Sequence, residues 1–96
     1  LTRSFAIAPD HLLEHWPVTD AASLQTQDIE SLLALSPEVL ILGTGERQIF
    51  PPAAVLAHCM SRGVGVEVMN NASAARTYNV LASEARKVVV ALILES

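Results

Sequence analysis

The sequence predicts an α/β domain built around a largely parallel sheet, and three observations predict it. Short apolar runs alternate along the chain with segments of helical period. The apolar residues, 51% of the chain, are mostly Ala, Val, Leu and Ile, with only 4% aromatic, the mix expected of a sheet covered by helices. The run from Val88 to Leu94 is apolar without a break, as a strand covered on both faces would be.

Ser4 to Ala8 reads as a short strand with Phe5 and Ile7 on one face. Pro9 and Asp10 open a brief helical turn that ends before Pro17, with Trp16 packed underneath. Val18 to Gln25 is small and polar and shows no period. Ile29, Leu32, Leu33 and Leu35 then recur at helical spacing, predicting a helix over Gln27 to Leu35 capped by Thr26, with Asp28 in its first turn. Pro37 ends that helix, and Val39 to Leu42 is a buried strand. Gly43 to Ile49 is a loop. The next helix starts at Pro52, where a missing N–H costs little, and buries Val55, Leu56 and Cys59. It runs to about Arg62, and Gly63 is its left-handed stop. Val64, Val66 and Val68 alternate with Gly65 and Glu67, a strand with one apolar face. Asn70 or Asn71 caps a helix over Ala72 to Arg86, and Val88 to Leu94 is the last strand. Alternation at this spacing implies parallel strands joined by right-handed crossovers. Ligands of such sheets bind outside the strands' carboxyl ends, here Gly43 to Glu46 and Met69 to Ser73.

Ninety-six residues suffice for one domain, residues 1–96, and are too few for two independent cores. Leu1 is not an initiator methionine, so a fragment or a processed chain is expected. Six Lys and Arg stand against ten Asp and Glu, a net charge of −4, and only Arg86 and Lys87 are adjacent. That balance argues against general nucleic-acid or anionic-membrane binding, which needs clustered cations. Mean hydropathy is high at +0.39, yet no apolar run is long enough to span a bilayer and no signal-peptide pattern opens the chain. Cys59 is the sole cysteine, so neither an internal disulfide nor a multi-cysteine metal site can form, which suits a cytoplasmic setting.

Three motifs invite chemistry. His11-Leu12-Leu13-Glu14-His15 matches the H-x-x-E-H string of inverted zinc peptidases, but the helix would last under two turns and no third ligand is evident. Gly43-x-Gly45 follows a strand, yet the dinucleotide fingerprint needs a third glycine where Gln48 stands, and the helix opens too late. No P-loop lysine is present. In the last helix Ala74, Ala75, Tyr78, Leu81, Ala82 and Ala85 make one apolar face, and Arg76 lies in or near the first turn on the other side. A cation there opposes the helix dipole and needs a negative partner. The partner is an internal carboxylate, Glu67 or Glu46, or an external carboxylate or phosphate held with free helix N–H groups. Tyr78 is expected in the core with its hydroxyl bonded, and Asn79 as a buried bracket or a ligand contact. Thr77 adds a hydroxyl at the same end. Val80, apolar on the polar side, hints at a further contact surface such as another subunit. Cys59 is expected to be inert, and His58 to point to solvent. Glu46 and Glu67 could converge at the loop ends.

Pro37 to Gly45, Phe50-Pro51, Gly63 to Met69, Ala74 to Leu81 and Glu84-x-Arg86-x-Val88, in that order, resemble a family of small domains of unknown function found in archaea, bacteria and mitochondria. The family includes an assembly factor of mitochondrial NADH:ubiquinone oxidoreductase, complex I. The resemblance covers Pro37 to Leu94. It implies a three-layer fold, helices on both faces of a mixed, mostly parallel sheet with one strand antiparallel to the rest. It implies no catalytic activity and no cofactor or metal, and a mitochondrial location for eukaryotic relatives. The family pattern falls on Gly43, Thr44, Gly45, Glu67, Met69, Arg76, Thr77, Tyr78 and Asn79. Two departures stand out: strand residues that relatives carry ahead of Leu1, without which an edge or a hairpin is expected to be missing, and Asn70-Asn71 where relatives often have an acidic residue and Thr. Two functions compete. One is a non-enzymatic interaction or assembly domain docking on a membrane-complex subunit or another factor. The other is a small-anion or metabolite binder, or an enzyme, using Gly43 to Glu46 with Arg76.

Overall fold

A computed structural model of the protein describes residues 4–8, 10–14, 16–84 and 87–94. Its strands are β1 (Phe5–Ala8), β2 (His11–Leu13), β3 (Val39–Gly43), β4 (Gly65–Met69) and β5 (Val88–Leu92), in one sheet of order β2-β1-β5-β3-β4. The helices are α1 (Thr26–Leu33), α2 (Ala53–Ser61) and α3 (Asn71–Ser83), with a 3-10 turn at Ala21–Ser23. β3 pairs in parallel with both β4 and β5, whereas β1 is antiparallel to β5 and to β2. β1 therefore runs alone against the other four strands, as the family resemblance implies and as the all-parallel expectation does not.

The reason is the connection from β1 to β2, too short for the crossover that a parallel pair requires. The helical turn expected around His11 is instead strand β2, with Ala6 opposite Leu13 and Ala8 opposite His11. A helix under two turns long has little to hold it, and pairing with β1 satisfies the same backbone groups. Pro9, expected to open that turn, and His15 of the H-x-x-E-H string lie outside the described residues.

Other boundaries shift for local reasons. Gln25, not Thr26, caps α1, and its N–H donates to Asp28 Oδ2 at 2.9 Å. The helix stops at Leu33, and Ser36 takes a positive φ of 55° just before Pro37. The aperiodic stretch before α1 holds the 3-10 turn, capped by Asp20 and burying Val18, Ala21 and Leu24. Pro52 caps α2, and Gly63, φ 76°, stops it as expected. Ala85 and Arg86, placed by the sequence on α3, lie outside the described residues.

Alternation along the central strands sends side chains to two layers. Leu40, Leu42, Val89, Ala91 and Ile93 meet α1 and α2 through Ile29, Leu32, Val55 and Cys59, and this larger core also holds Trp16. Ile41, Val88 and Val90 meet α3 through Ala74, with Tyr78, Leu81 and Ala82 partly buried beside them. In β1 the small Ala6 and Ala8 face the large core, and Ile7 lies on the thinner α3 side. Helices thus cover both faces. At the surface Glu30 of α1 is tied to α2 by His58 Nε2 at 2.5 Å and by Arg62 Nη1 at 3.3 Å, so His58 is a tie between helices rather than a free solvent group. The hydrogen bond from His58 holds the Glu30 carboxyl below its ordinary range against the opposing effect of desolvation, and Arg62 adds a lesser pull in the same direction as His58.

Candidate functional site

The chain leaves β3 by α2, on one face of the sheet, and leaves β4 by α3, on the other. At neighbouring strands whose exits diverge in this way the carboxyl ends part and leave a crevice. A cleft of about 840 Å³ opens there, walled by Gly45, Glu46, Arg47 and Ile49 after β3, by Asn70, Asn71 and Ala72 at the start of α3, and by Ile93 and Leu94 after β5.

The walls are fixed by hydrogen bonds within the chain. Asn71 Nδ2 donates to the Ile93 carbonyl at 2.9 Å, and its Oδ1 accepts from the Gly45 N–H at 3.1 Å. The Asn71 N–H donates to the Gly45 carbonyl at 2.8 Å. One asparagine therefore joins the ends of β3 and β5 to α3. Space for its amide comes from Gly43, where a Cβ would lie 2.4 Å from Asn71 Oδ1 and 2.6 Å from Leu92 Cδ2. Thr44 is buried, and its hydroxyl donates to the Arg47 carbonyl at 2.5 Å while accepting from the Ile49 N–H at 2.9 Å. Gly45 has φ 97°, a region that side chains disfavour, and so turns the loop over the cleft. Asn70 Oδ1 accepts from the Ser73 N–H at 2.8 Å and caps α3.

Of the residues singled out in the sequence, Gly45 and Glu46 line the cleft, and Gly43 and Thr44 stand behind its wall. Glu67 sits exposed on the edge strand opposite Ile41 and does not line it. Arg76 is exposed on α3 with its Nη2 donating to Ser73 Oγ at 3.1 Å, and no carboxylate among the described residues pairs with it. The internal ion pair with Glu67 or Glu46 is therefore not formed there. Thr77 Oγ1 donates to Met69 Sδ at 3.4 Å. Tyr78 is half-buried in the α3 layer, which pushes its phenol up, but among the described residues its hydroxyl has no hydrogen bond, contrary to expectation. Asn79 is exposed and is not the buried bracket expected. Arg47, absent from the sequence reading, is the cation on the cleft; its only signal was its place two residues beyond Gly45.

Cys59 is 1% exposed, and burial pushes its thiol up, in keeping with an inert role. Among the described residues no three His, Cys, Asp or Glu side chains stand together as metal ligands.

A second surface was not foreseen. Helix α2 carries no Asp, Glu, Lys or Arg. Its exposed residues, Ala53, Ala54, Ala57, Met60 and Ser61, fall within an arc of roughly 120° on a helical projection. Met60 is 72% exposed, and Phe50, just ahead of the helix, 64%. Apart from His58 and Ser61 the helix is apolar, and an apolar stripe on a helix is usually covered. Val80 is also exposed, but on α3 in the opposite layer. No described helix is long and apolar enough to cross a membrane.

Known proteins resemble this chain along most of its length. A zebrafish (Danio rerio) protein named NADH dehydrogenase [ubiquinone] 1 alpha subcomplex assembly factor 3 is 37% identical over 92% of this chain and 51% of its own. A Francisella tularensis protein named 13 kDa major membrane protein is 33% identical over 79% of this chain and 62% of its own. The chain thus spans about half to three-fifths of these relatives. Among solved structures, an NMR structure from Xanthomonas campestris is 56% identical with a TM-score of 0.91, covering 98% of this chain and 71% of that one. A Bordetella parapertussis crystal structure is 38% identical, also with a TM-score of 0.91, covering 99% and 81%. Residues 1–93 match the model of a protein family of unknown function, DUF498/DUF598, and the chain belongs to that family.

Proposed function

We propose that residues 1–96 form one non-enzymatic docking domain of the assembly-factor kind, which engages a protein partner through the outer face of α2. The partner is a subunit of a membrane complex or another assembly factor, met from the cytoplasmic side. The observation that carries this reading is the uncharged outer arc of Ala53, Ala57 and Met60, on a helix whose inner face is already satisfied by Val55 and Cys59. Small residues allow a partner helix to approach closely, and a protruding methionine adapts to the surface it meets. The relatives named as complex I assembly factors support the same class of action.

The test is photo-crosslinking in cells, with a photoreactive phenylalanine analogue at Ala57 and, for comparison, at the exposed Ala75 of α3. A discrete adduct from position 57 that Met60→Glu removes is expected. Equal labelling from both positions, or no adduct from 57, would count against the reading.

The second reading, a ligand at the strand ends, is favoured by the cleft itself. Its sequence-derived set, Gly43, Thr44, Gly45, Glu46, Glu67, Arg76, Thr77, Tyr78 and Asn79, contributes Gly45 and Glu46 to the lining. A pocket that used Arg76 would need a ligand reaching beyond that lining. Loss of a phosphate-induced thermal shift in Arg76→Ala would support such reach, and an unchanged shift would remove it.

A further inference from the structure

We propose that the cleft at the strand ends binds a small zwitterion with an apolar body, of the size of an apolar amino acid or a dipeptide. A volume of about 840 Å³ lies within the range of small-molecule sites. Its apolar lining is aliphatic and comes from the half-buried Ile49 and Leu94, since Ile93, 1% exposed, is spent on the core. That surface suits a hydrocarbon body.

The charged groups that could meet a ligand are two side chains, and the Asn70 Nδ2, which has no hydrogen-bond partner among the described residues, is a further donor on the lining. Asn71 is engaged with Gly45 and Ile93, and the oxygen of Asn70 with Ser73. They hold the wall in place before anything binds, which lowers the ordering cost of binding. Glu46 and Arg47 remain. Both line the cleft, both are exposed, and neither side chain has an ion-pair or hydrogen-bond partner among the described residues. A simple anion attracted by Arg47 would also meet the Glu46 carboxylate, and a simple cation would meet the reverse. A molecule bearing an ammonium and a carboxylate satisfies both and rejects neither. This site is separate from the α2 face, so either proposal can fail alone.

The experiment is amide NMR of the nitrogen-labelled chain titrated with L-leucine, L-leucyl-L-leucine, isocaproate and isoamylamine. The last two are leucine stripped of its ammonium or its carboxylate. The expected result is movement of the Gly45, Glu46, Arg47 and Ala72 amides with one of the two zwitterions, and binding at least about tenfold weaker for each single-charge analogue. Which zwitterion binds better separates a free amino acid from a peptide. Arg47→Gln should weaken the zwitterion about tenfold, and Glu46→Gln should narrow the gap between leucine and isocaproate. Both side chains are exposed, so these variants should keep the native unfolding midpoint by Trp16 fluorescence. No shifts with either zwitterion, equal binding of isocaproate, or indifference to both substitutions would overturn the proposal.

Discussion

At Gly43 there is no room for a side chain. A methyl group there would meet the Asn71 amide and Leu92 well inside contact distance. Gly43→Ala is expected to cost about 1–3 kcal/mol, as overpacking does, seen as a lower urea midpoint with an unchanged slope. Asn71→Ala removes the hydrogen bonds to Gly45 and Ile93 together. It should cost about 1–3 kcal/mol and speed amide exchange at Gly45. Gly43-x-Gly45 was legible as a glycine pair in the loop that follows a strand, and not as a place where Asn71 and Leu92 close in. Asn71 was legible only as a cap candidate, because its partners lie 26 and 22 positions away and no local pattern marks them. Arg76 drew notice because a cation near a helix start is locally unusual, yet the cleft forms from the two predicted strand ends together with Ile93 and Leu94, which the sequence pattern did not place beside them.

Among the elements, α2 shows how a correct assignment can miss what matters. Its period predicts Val55, Leu56 and Cys59 as the inner face, of which Leu56 is only half-buried, and carries no mark of the outer arc. The predicted helical turn also failed at β2, where three residues adopt the conformation that β1 offers rather than one of their own. The tie between α1 and α2 carries a pH prediction. The Glu30 carboxyl is held low chiefly by its hydrogen bond from His58, so its stabilising contribution is present above the ordinary glutamate value and is lost as pH falls through the lowered one. The stability gap between the native chain and Glu30→Gln should therefore be visible at neutral pH and close as pH falls through the lowered carboxyl value. A gap that widens in acid would contradict that assignment.

At the scale of the whole molecule, the β-α-β order from β3 to β5 was legible because each crossover has its own apolar period and its own stop. An antiparallel strand was implied by the family resemblance but was not legible in the periodicity, since the residues of a two-strand hairpin and of a short helical turn look alike over so few positions. Cys59 reports on the integrity of the large core. Burial raises its thiol, so a disulfide reagent should react far more slowly with the native chain at pH 8 than with the chain in concentrated guanidinium. A docking role requires the outer face of α2 to be an interface. Its most direct test is calorimetric affinity for the partner captured by crosslinking, measured for Met60→Glu and for Val80→Glu, two exposed apolar residues in opposite layers. A loss of at least about tenfold for Met60→Glu, with Val80→Glu unchanged, is the predicted result; equal affinities for both variants and the native chain would contradict it.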